Sequence, residues 1–308
     1  MTYGFIGTGN MGGALARALV REVSPLDVYL NNRTPAKAEA LAAELGARAD
    51  TAAHIAAACD YIFLGVKPNL IAGVLAQLAP TLAQRTDKPV LVSMAAGVTI
   101  AALEQAAPGC PILRIMPNTA CAVGAGLTLY DANALLTKPQ LDAFLADMAA
   151  SGRLEALPEH LIDAGSAVAG CGGAFACLFM ESLADGAVTC GLPRDKANTF
   201  AAQMLLGAAR LALESGKPFG QMKDEICSPG GTTIAGIHAM ERDGIRAALM
   251  DGVKACLEKS DAMAGKKDPS AEEVNHAAPG SAGGGVPCKG RPSPPGRAFV
   301  LIFRTGSR

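Results

Sequence analysis

Two groups of small residues in this sequence could do chemistry through the backbone. Gly7, Gly9 and Gly12, in FIGTGNMGGALARAL, are spaced G-x-G-x-x-G. In that spacing the first glycine permits a tight turn, the second lets a pyrophosphate reach the backbone, and the third lets the helix pack close to its strand. Asn10 and Met11 then stand at the helix start, where amides face phosphate oxygens. The spacing is weak evidence alone. Here it follows a strand-like run and opens a helical one, the context in which it binds a dinucleotide. The second group, CSPGGTTIAGI from Cys227 to Ile237, sets Ser228, Pro229, Gly230, Gly231, Thr232 and Thr233 just before a helical segment. A helix start leaves four amides unpartnered and carries the positive end of the dipole, so an anion is favoured there. Ser228 and Thr232 could instead cap the helix, and the residues alone leave both readings open.

About twenty residues past the glycine motif, an NAD site places an acidic residue against the ribose 2′-hydroxyl. This chain has Asn31, Asn32, Arg33 and Thr34 there, with Lys37 one turn on. A guanidinium and a hydroxyl suit a 2′-phosphate, so NADPH is the expected cofactor; NADH is the alternative if Arg33 only caps a surface turn. Nine scattered cysteines never fall as C-x-x-C, and His54, His160, His238 and His276 form no ligand spacing, so no metal site or disulfide framework is expected. The thiols read as buried groups in a reducing compartment.

The elements that must position these groups fall into three stretches. Over residues 1–157, runs such as YGFIG, DVYLNN, YIFLGV, VLVSMA, ILRIM and GLTLY alternate with helical stretches such as MGGALARALVRE and TPAKAEALAAELG. That alternation predicts an α/β Rossmann-type domain, a doubly wound parallel sheet covered on both faces. Over 158–265 the strand signals stop and apolar residues recur at helical spacing, predicting an all-α domain. Its helices carry apolar residues on more than one face, as in AAQMLLGAARLALE, so one face is expected to meet a partner subunit. Residues 266–308 are rich in Gly, Pro and Ser and read as a disordered extension ending in the apolar run AFVLIF.

Among the 308 residues, 27 Lys and Arg balance 28 Asp and Glu, so no cationic surface is available for nucleic acid. The N-terminus enters a strand pattern at once, with no leader-like or membrane-spanning run, so a cytoplasmic protein with no membrane partner is expected.

Several segments together resemble pyrroline-5-carboxylate reductases over about residues 1–264: GFIGTGNMG, VKP at 66–68, SMAAGV at 93–98, RIMPNTACAVGAG at 114–126, ESLADGAVTCGLPRDKA at 181–197 and CSPGGTTIAGI. The resemblance implies reduction of the cyclic imine 1-pyrroline-5-carboxylate to L-proline, the last step of proline synthesis, by direct hydride transfer to C5. It assigns the substrate carboxylate to Gly230, Gly231 and Thr232, counts Ser228 among the substrate-binding residues, and gives the ring nitrogen to the Thr233 hydroxyl, a polarising rather than strongly acidic group. It places Val66, Lys67, Pro68, Met94, Ala95, Ala96 and Asn118 along the cofactor's ribose and nicotinamide end, and carries Glu159 and Glu225 as residues near the cofactor. It also implies a homodimer whose active sites borrow from the neighbouring copy, with larger rings such as a decamer.

Two departures stand out. AGCGGAF, residues 169–175, replaces a Ser-Gly-Ser-Gly-Pro-Ala-Tyr pattern, and Ala120 stands where proline is common. Substrate affinity or subunit packing near Cys171 and Phe175 is therefore expected to differ, while Cys171 and Cys227 are read as buried thiols. Rival readings are a related Rossmann reductase and a non-catalytic NADP-binding regulator. β-Hydroxyacid dehydrogenases carry a lysine in the first long helix of the second domain, and GCGGAFACLFMESLADG has none. Coenzyme F420-dependent NADP reductases share a GTGNMG-like start but lack the Ser-Pro-Gly-Gly-Thr-Thr loop.

Overall fold

The computed structural model describes residues 1–263. Four short apolar strands form its centre: β1 (Tyr3–Ile6), β4 (Tyr61–Leu64), β5 (Val90–Ser93) and β6 (Ile112–Met116). Each is buried on both faces, which is why apolar residues fill these runs rather than alternate, apart from the buried Ser93 and Arg114. Around them lie β2 (Val28–Asn31), β3 (Arg48–Ala49), β7 (Gly126–Ala132) and β8 (Gly152–Ala156), giving one eight-stranded sheet in the order β3-β2-β1-β4-β5-β6-β7-β8.

Side chains alternate between the two faces with the strand period of two. Tyr3, Phe5, Tyr61 and Phe63 point to one face with Leu15, Leu41 and Phe144; Ile6, Ile62 and Leu64 point to the other with Ile55, Leu75 and Leu103. Because Tyr3 is in register with Tyr61 and Phe5 with Phe63, the rings stack, the phenylalanines at 4.2 Å between centroids. The first face is covered by α1 (Asn10–Leu19), α2 (Pro35–Leu45) and α6 (Lys138–Asp147), and the second by α3 (Ala52–Ala58), α4 (Ile71–Gln84) and α5 (Ile100–Ala106). The expected helices over 11–22 and 34–46 are present with ends shifted by one to three residues.

The sheet is not parallel throughout, as the strand and helix alternation had implied. β7 runs antiparallel to β6, with Arg114 opposite Asp131, because a single 3-10 turn over Thr119–Val123 joins the two and leaves no room for a crossover. β3 and β8 are additions, and both are exposed edge segments with charged residues, GRLEA in the case of β8.

From Glu159 the chain is helical: α7 (Glu159–Ala169), α8 (Gly172–Thr189), α9 (Arg194–Ser215), α10 (Phe219–Ile226), α11 (Thr232–Arg242) and α12 (Ile245–Met263). α8 and α9 pack through small residues, burying Ala184, Ala197 and Ala201. Larger apolar side chains face outward, including Phe200, Leu211, Leu213 at 76% and Phe219 at 80% exposure. By length and composition the stretch Glu159–Thr189 is apolar enough to cross a membrane, and it is two helices, α7 and α8, parted at Gly170 and Cys171. The extension over 266–308 lies outside the described residues.

The helical part is fastened to the sheet by Arg114. Its guanidinium, 2% exposed, donates to Glu159 at 3.1 Å and Asp163 at 3.0 Å, while the Glu159 amide donates to Asp131 at 2.7 Å. A buried guanidinium needs such carboxylates, and α7 supplies both from one helical turn.

Candidate active site

A doubly wound sheet leaves a crevice where neighbouring strands send their connections to opposite faces. Here that point lies beyond β1 and β4, and three glycines build its floor. Gly7 has φ +102°, a conformation that other residues rarely adopt, and its amide donates to the Asn31 carbonyl at 2.8 Å. A Cβ on Gly12 would lie 2.2 Å from the Gly7 carbonyl oxygen, and one on Gly65 would lie 2.3 Å from the same oxygen. The loop, α1 and the end of β4 are therefore in backbone contact. Gly9 differs: its φ is an ordinary −72°, and a Cβ there would meet nothing within 4 Å.

Gly9 begins α1 without a side-chain cap, and the amides of Asn10, Met11 and Gly12 donate to no described residue. Together these features form a cradle with bare donors and open space in front of Gly9, the shape and charge that a dinucleotide pyrophosphate fits. The cleft that it floors has a volume of about 740 Å³, and Asn32, Arg33, Val66 and Lys67 line it. Asn32 ties its two sides together, donating to the Thr8 hydroxyl at 3.0 Å and accepting from the Thr34 amide at 3.2 Å. Lys37, Asn69 and Gln77 also line it. Lys37 further borders an adjoining cavity that contains Arg17, whose guanidinium is held by Glu44 at 2.8 Å. Arg33 and Lys37 have no ion-pair partner among the described residues, which leaves two cations facing the end of the cleft.

Other residues singled out from the sequence lie elsewhere. Met94 and Ala95 pack into the two cores, and only Ala96 reaches a cavity, bounded also by Gly97 and Asp163. The Asn118 amide donates to the Ala169 carbonyl at 2.9 Å and accepts from Leu127, so it pins the end of α7 to β7. Glu159 holds Arg114 and caps α5 through the Ile100 amide at 2.7 Å. Glu225 is exposed, and its carboxyl is held below the usual range by Lys217 and then by Gln221. Pro68 opens a 3-10 turn on the surface.

The Ser-Pro-Gly-Gly loop is a turn with Pro229 second and Gly230 third, closed by the Gly231 amide on the Ser228 carbonyl at 3.0 Å; Gly230 has φ +69°. That is the backbone of a type II turn, for which proline and glycine are suited in that order. Gly231 then begins α11 in extended conformation with no side-chain cap, so neither Ser228 nor Thr232 fills the capping role. The amides of Thr232, Thr233 and Ile234 donate to no described residue, and all three residues are exposed. The two cavities lined by the glycine cradle include no residue of this loop.

The thiols are less uniformly buried than the sequence reading had them. Cys59, Cys110 and Cys121 are buried, and burial pushes the Cys59 thiol up to about 12, whereas Cys177 and Cys190 are exposed on the open helices α8 and α9's approach. Cys288 and His276 lie outside the described residues. His54 pairs with Asp50 at 2.6 Å, and no cluster of metal-binding side chains occurs among the described residues.

Comparison with known proteins agrees with this division. A family model described as pyrroline-5-carboxylate reductase dimerisation matches residues 159–263, and one described as NADP oxidoreductase, coenzyme F420-dependent, matches residues 2–97. The pyrroline-5-carboxylate reductase of Escherichia coli is 38% identical over 264 residues, 84% of this chain and 97% of that protein. The enzyme of that name from Methanosarcina acetivorans is 38% identical over 86% of this chain and 98% of its own length. Among solved structures, a pyrroline-5-carboxylate reductase from Coxiella burnetii aligns with a TM-score of 0.78 at 30% identity, covering 87% of this chain and 99% of that one. A Plasmodium falciparum pyrroline carboxylate reductase with NADP bound aligns with a TM-score of 0.75 at 29% identity, covering 86% and 98%.

Proposed function

The chain belongs to the pyrroline-5-carboxylate reductase family, and from that premise we infer that it reduces 1-pyrroline-5-carboxylate to L-proline. NADPH, when bound, supplies the hydride that C5 of the imine receives. The chain's own contribution is to bind, orient and polarise. The match of residues 2–97 to the F420-type model concerns only the nucleotide half, so it supports NADP use and leaves the substrate to the helical half.

In this reading the Gly9 cradle, with Asn10 and Met11, holds the pyrophosphate, and Asn32, Arg33, Thr34 and Lys37 hold the 2′-phosphate. Val66, Lys67, Pro68 and Ala96 border the path of the ribose and nicotinamide. The observation that carries the substrate half is the uncapped start of α11: bare amides beside two hydroxyls on a turn that bears no competing carboxylate. Gly230, Gly231 and Thr232 receive the substrate carboxylate there, with Ser228 shaping the turn. The Thr233 hydroxyl meets the ring nitrogen. An unperturbed hydroxyl is a poor proton donor, so Thr233 orients a nitrogen that is already protonated or takes its proton from water, and no strong side-chain acid is needed.

The loop and the cradle meet between two copies of the chain. This is supported by the apolar residues that the helical half leaves exposed and by the description of the family model matching 159–263. A ring such as a decamer extends the same assembly, and light scattering distinguishes it from a dimer. A cytoplasmic location without membrane insertion goes with it, supported by the eight unpaired cysteines among the described residues.

The test is Thr233→Ala. Turnover of NADPH with racemic 1-pyrroline-5-carboxylate should fall far more than NADPH affinity, measured separately by fluorescence titration. Equal losses in both would count against the role given to Thr233, and NADPH binding by the wild type without turnover would favour a non-catalytic regulator.

A further inference from the structure

Cys171 and Cys256 are far apart in sequence yet share one cavity of about 420 Å³. Cys171 stands at the break between α7 and α8, and Cys256 lies in the middle of α12. Helix geometry brings them together. α12 lies against the start of α8, so that a Cβ on Gly252 would be 3.5 Å from the Phe175 ring. One turn forward along α12 from Gly252 is Cys256, and one turn back along α8 from Phe175 is Cys171. The two thiols accordingly line one wall of the same cavity, and burial, then Cys256, pushes the Cys171 thiol above its ordinary value.

We propose that Cys171 and Cys256 form a modification site that small hydroperoxides convert to a reversible disulfide. The cavity has ample volume for hydrogen peroxide. One sulfur gives up its proton and, as thiolate, attacks a peroxide oxygen; the O–O bond breaks, and the departing hydroxide takes up the released proton and leaves as water. The resulting sulfenic acid is then attacked by the second sulfur. Its S–O bond breaks, the S–S bond forms, and the released hydroxide takes the second proton as another water. Two thiols have lost two electrons, and one peroxide has become two waters. The second step is fast relative to further oxidation because the second sulfur lines the same cavity as the first. A dithiol reductant reverses it by exchange.

The closed disulfide ties α12 to the start of α8 and narrows a cavity whose wall also includes Ala96 and Gly97. On the reading given above, that wall borders the nicotinamide path, so the oxidised enzyme turns over more slowly; this consequence rests on that reading, whereas the disulfide does not. The experiment treats the full chain, with exposed Cys177 and Cys190 replaced by serine, with a small excess of hydrogen peroxide. Remaining thiols are then alkylated and the peptides mapped. The expected result is a cross-linked peptide pair joining Cys171 to Cys256, lost on dithiothreitol treatment and in both Cys171→Ala and Cys256→Ala, with turnover reduced several-fold and restored by the reductant. Alkylation of both residues after treatment, or their pairing with other cysteines, overturns the site. A cross-link that leaves turnover unchanged keeps the site and removes Ala96 from the nicotinamide path.

Discussion

The glycine cradle separates two effects that most glycine substitutions confound. Gly9→Ala places a methyl group where no protein atom lies within 4 Å, on a residue whose φ of −72° alanine adopts freely. The folded chain therefore tolerates it. The helix start becomes slightly less favourable, by about 0.5–1 kcal/mol, since glycine at that position is worth more than alanine. The same methyl group occupies the approach to the bare amides of α1. Losing one charge-assisted amide bond to a phosphate costs about 1.5–3 kcal/mol, so the NADPH dissociation constant should rise roughly 10- to 100-fold.

Gly12→Ala makes the opposite error. Its Cβ falls 2.2 Å from the Gly7 carbonyl oxygen, which Gly65 already confines from the other side. Neither neighbour is a flexible side chain that could swing away, so backbone must move, at about 1–3 kcal/mol or more. Thermal melts of the two variants without cofactor, paired with NADPH fluorescence titrations, resolve the roles. Gly9→Ala should melt close to the wild type and bind poorly, whereas Gly12→Ala should melt several degrees lower. If Gly9→Ala melts as low as Gly12→Ala, or binds NADPH like the wild type, the cradle is not where the pyrophosphate lies.

Three further outcomes follow from the same geometry. Arg33→Gln and Lys37→Gln should each weaken binding of 2′,5′-ADP by roughly 10-fold, the scale of one charge-assisted contact, while leaving binding of 5′-AMP within about twofold; equal effects on both ligands would remove that residue from the 2′-phosphate. Arg114→Met leaves Asp163 and Glu159 without their buried cation and should cost about 3–5 kcal/mol in denaturant unfolding, with much of it regained in Arg114→Met/Glu159→Gln/Asp163→Asn. A single-variant loss below about 1 kcal/mol would show that the helical part is fastened by other contacts. The Tyr61 hydroxyl, which donates to the Gln140 carbonyl at 2.7 Å, is pushed up to about 12 by burial and then by Asp147 and Asp60. The unfolded chain therefore releases that proton first, near the ordinary tyrosine value of about 10, so stability should fall as pH rises from about 10 towards 12. Tyr61→Phe should flatten that fall in the denaturation midpoint, and an unchanged slope would contradict the assignment.

How much of this was legible beforehand depends on whether a residue's role is set locally or by a distant partner. β1, β4, β5 and β6 could be read because burial on both faces demands apolar runs, interrupted only by the buried Ser93 and Arg114. The edges could not: β8 is GRLEA, whose exposed positions carry charge and imitate a loop. The reversal of β7 depends on how short the Thr119–Val123 turn is, a length that apolar patterning does not report. At the site, Gly7, Gly12 and Gly230 were readable because each meets a backbone demand that glycine alone satisfies.

Glu159 shows the opposite case. Its neighbours in sequence are Pro158 and His160, and nothing near it announces Arg114, forty-five positions earlier, or the α5 amide that it also holds. A resemblance to related sequences marks such a residue as worth attention without saying for what. Glu159 and Asn118 both came forward as cofactor neighbours, and both are found joining α7 to the sheet. That placement still bears on the chemistry. α7 runs directly into the break at Gly170 and Cys171 and carries Asp163 on the cavity that Ala96 borders, so any slackening of the Arg114 cluster moves that wall. Arg114→Met should therefore disturb turnover beyond its effect on stability, whereas a change of equal cost placed in α6 on the first core, such as Phe144→Ala, should not.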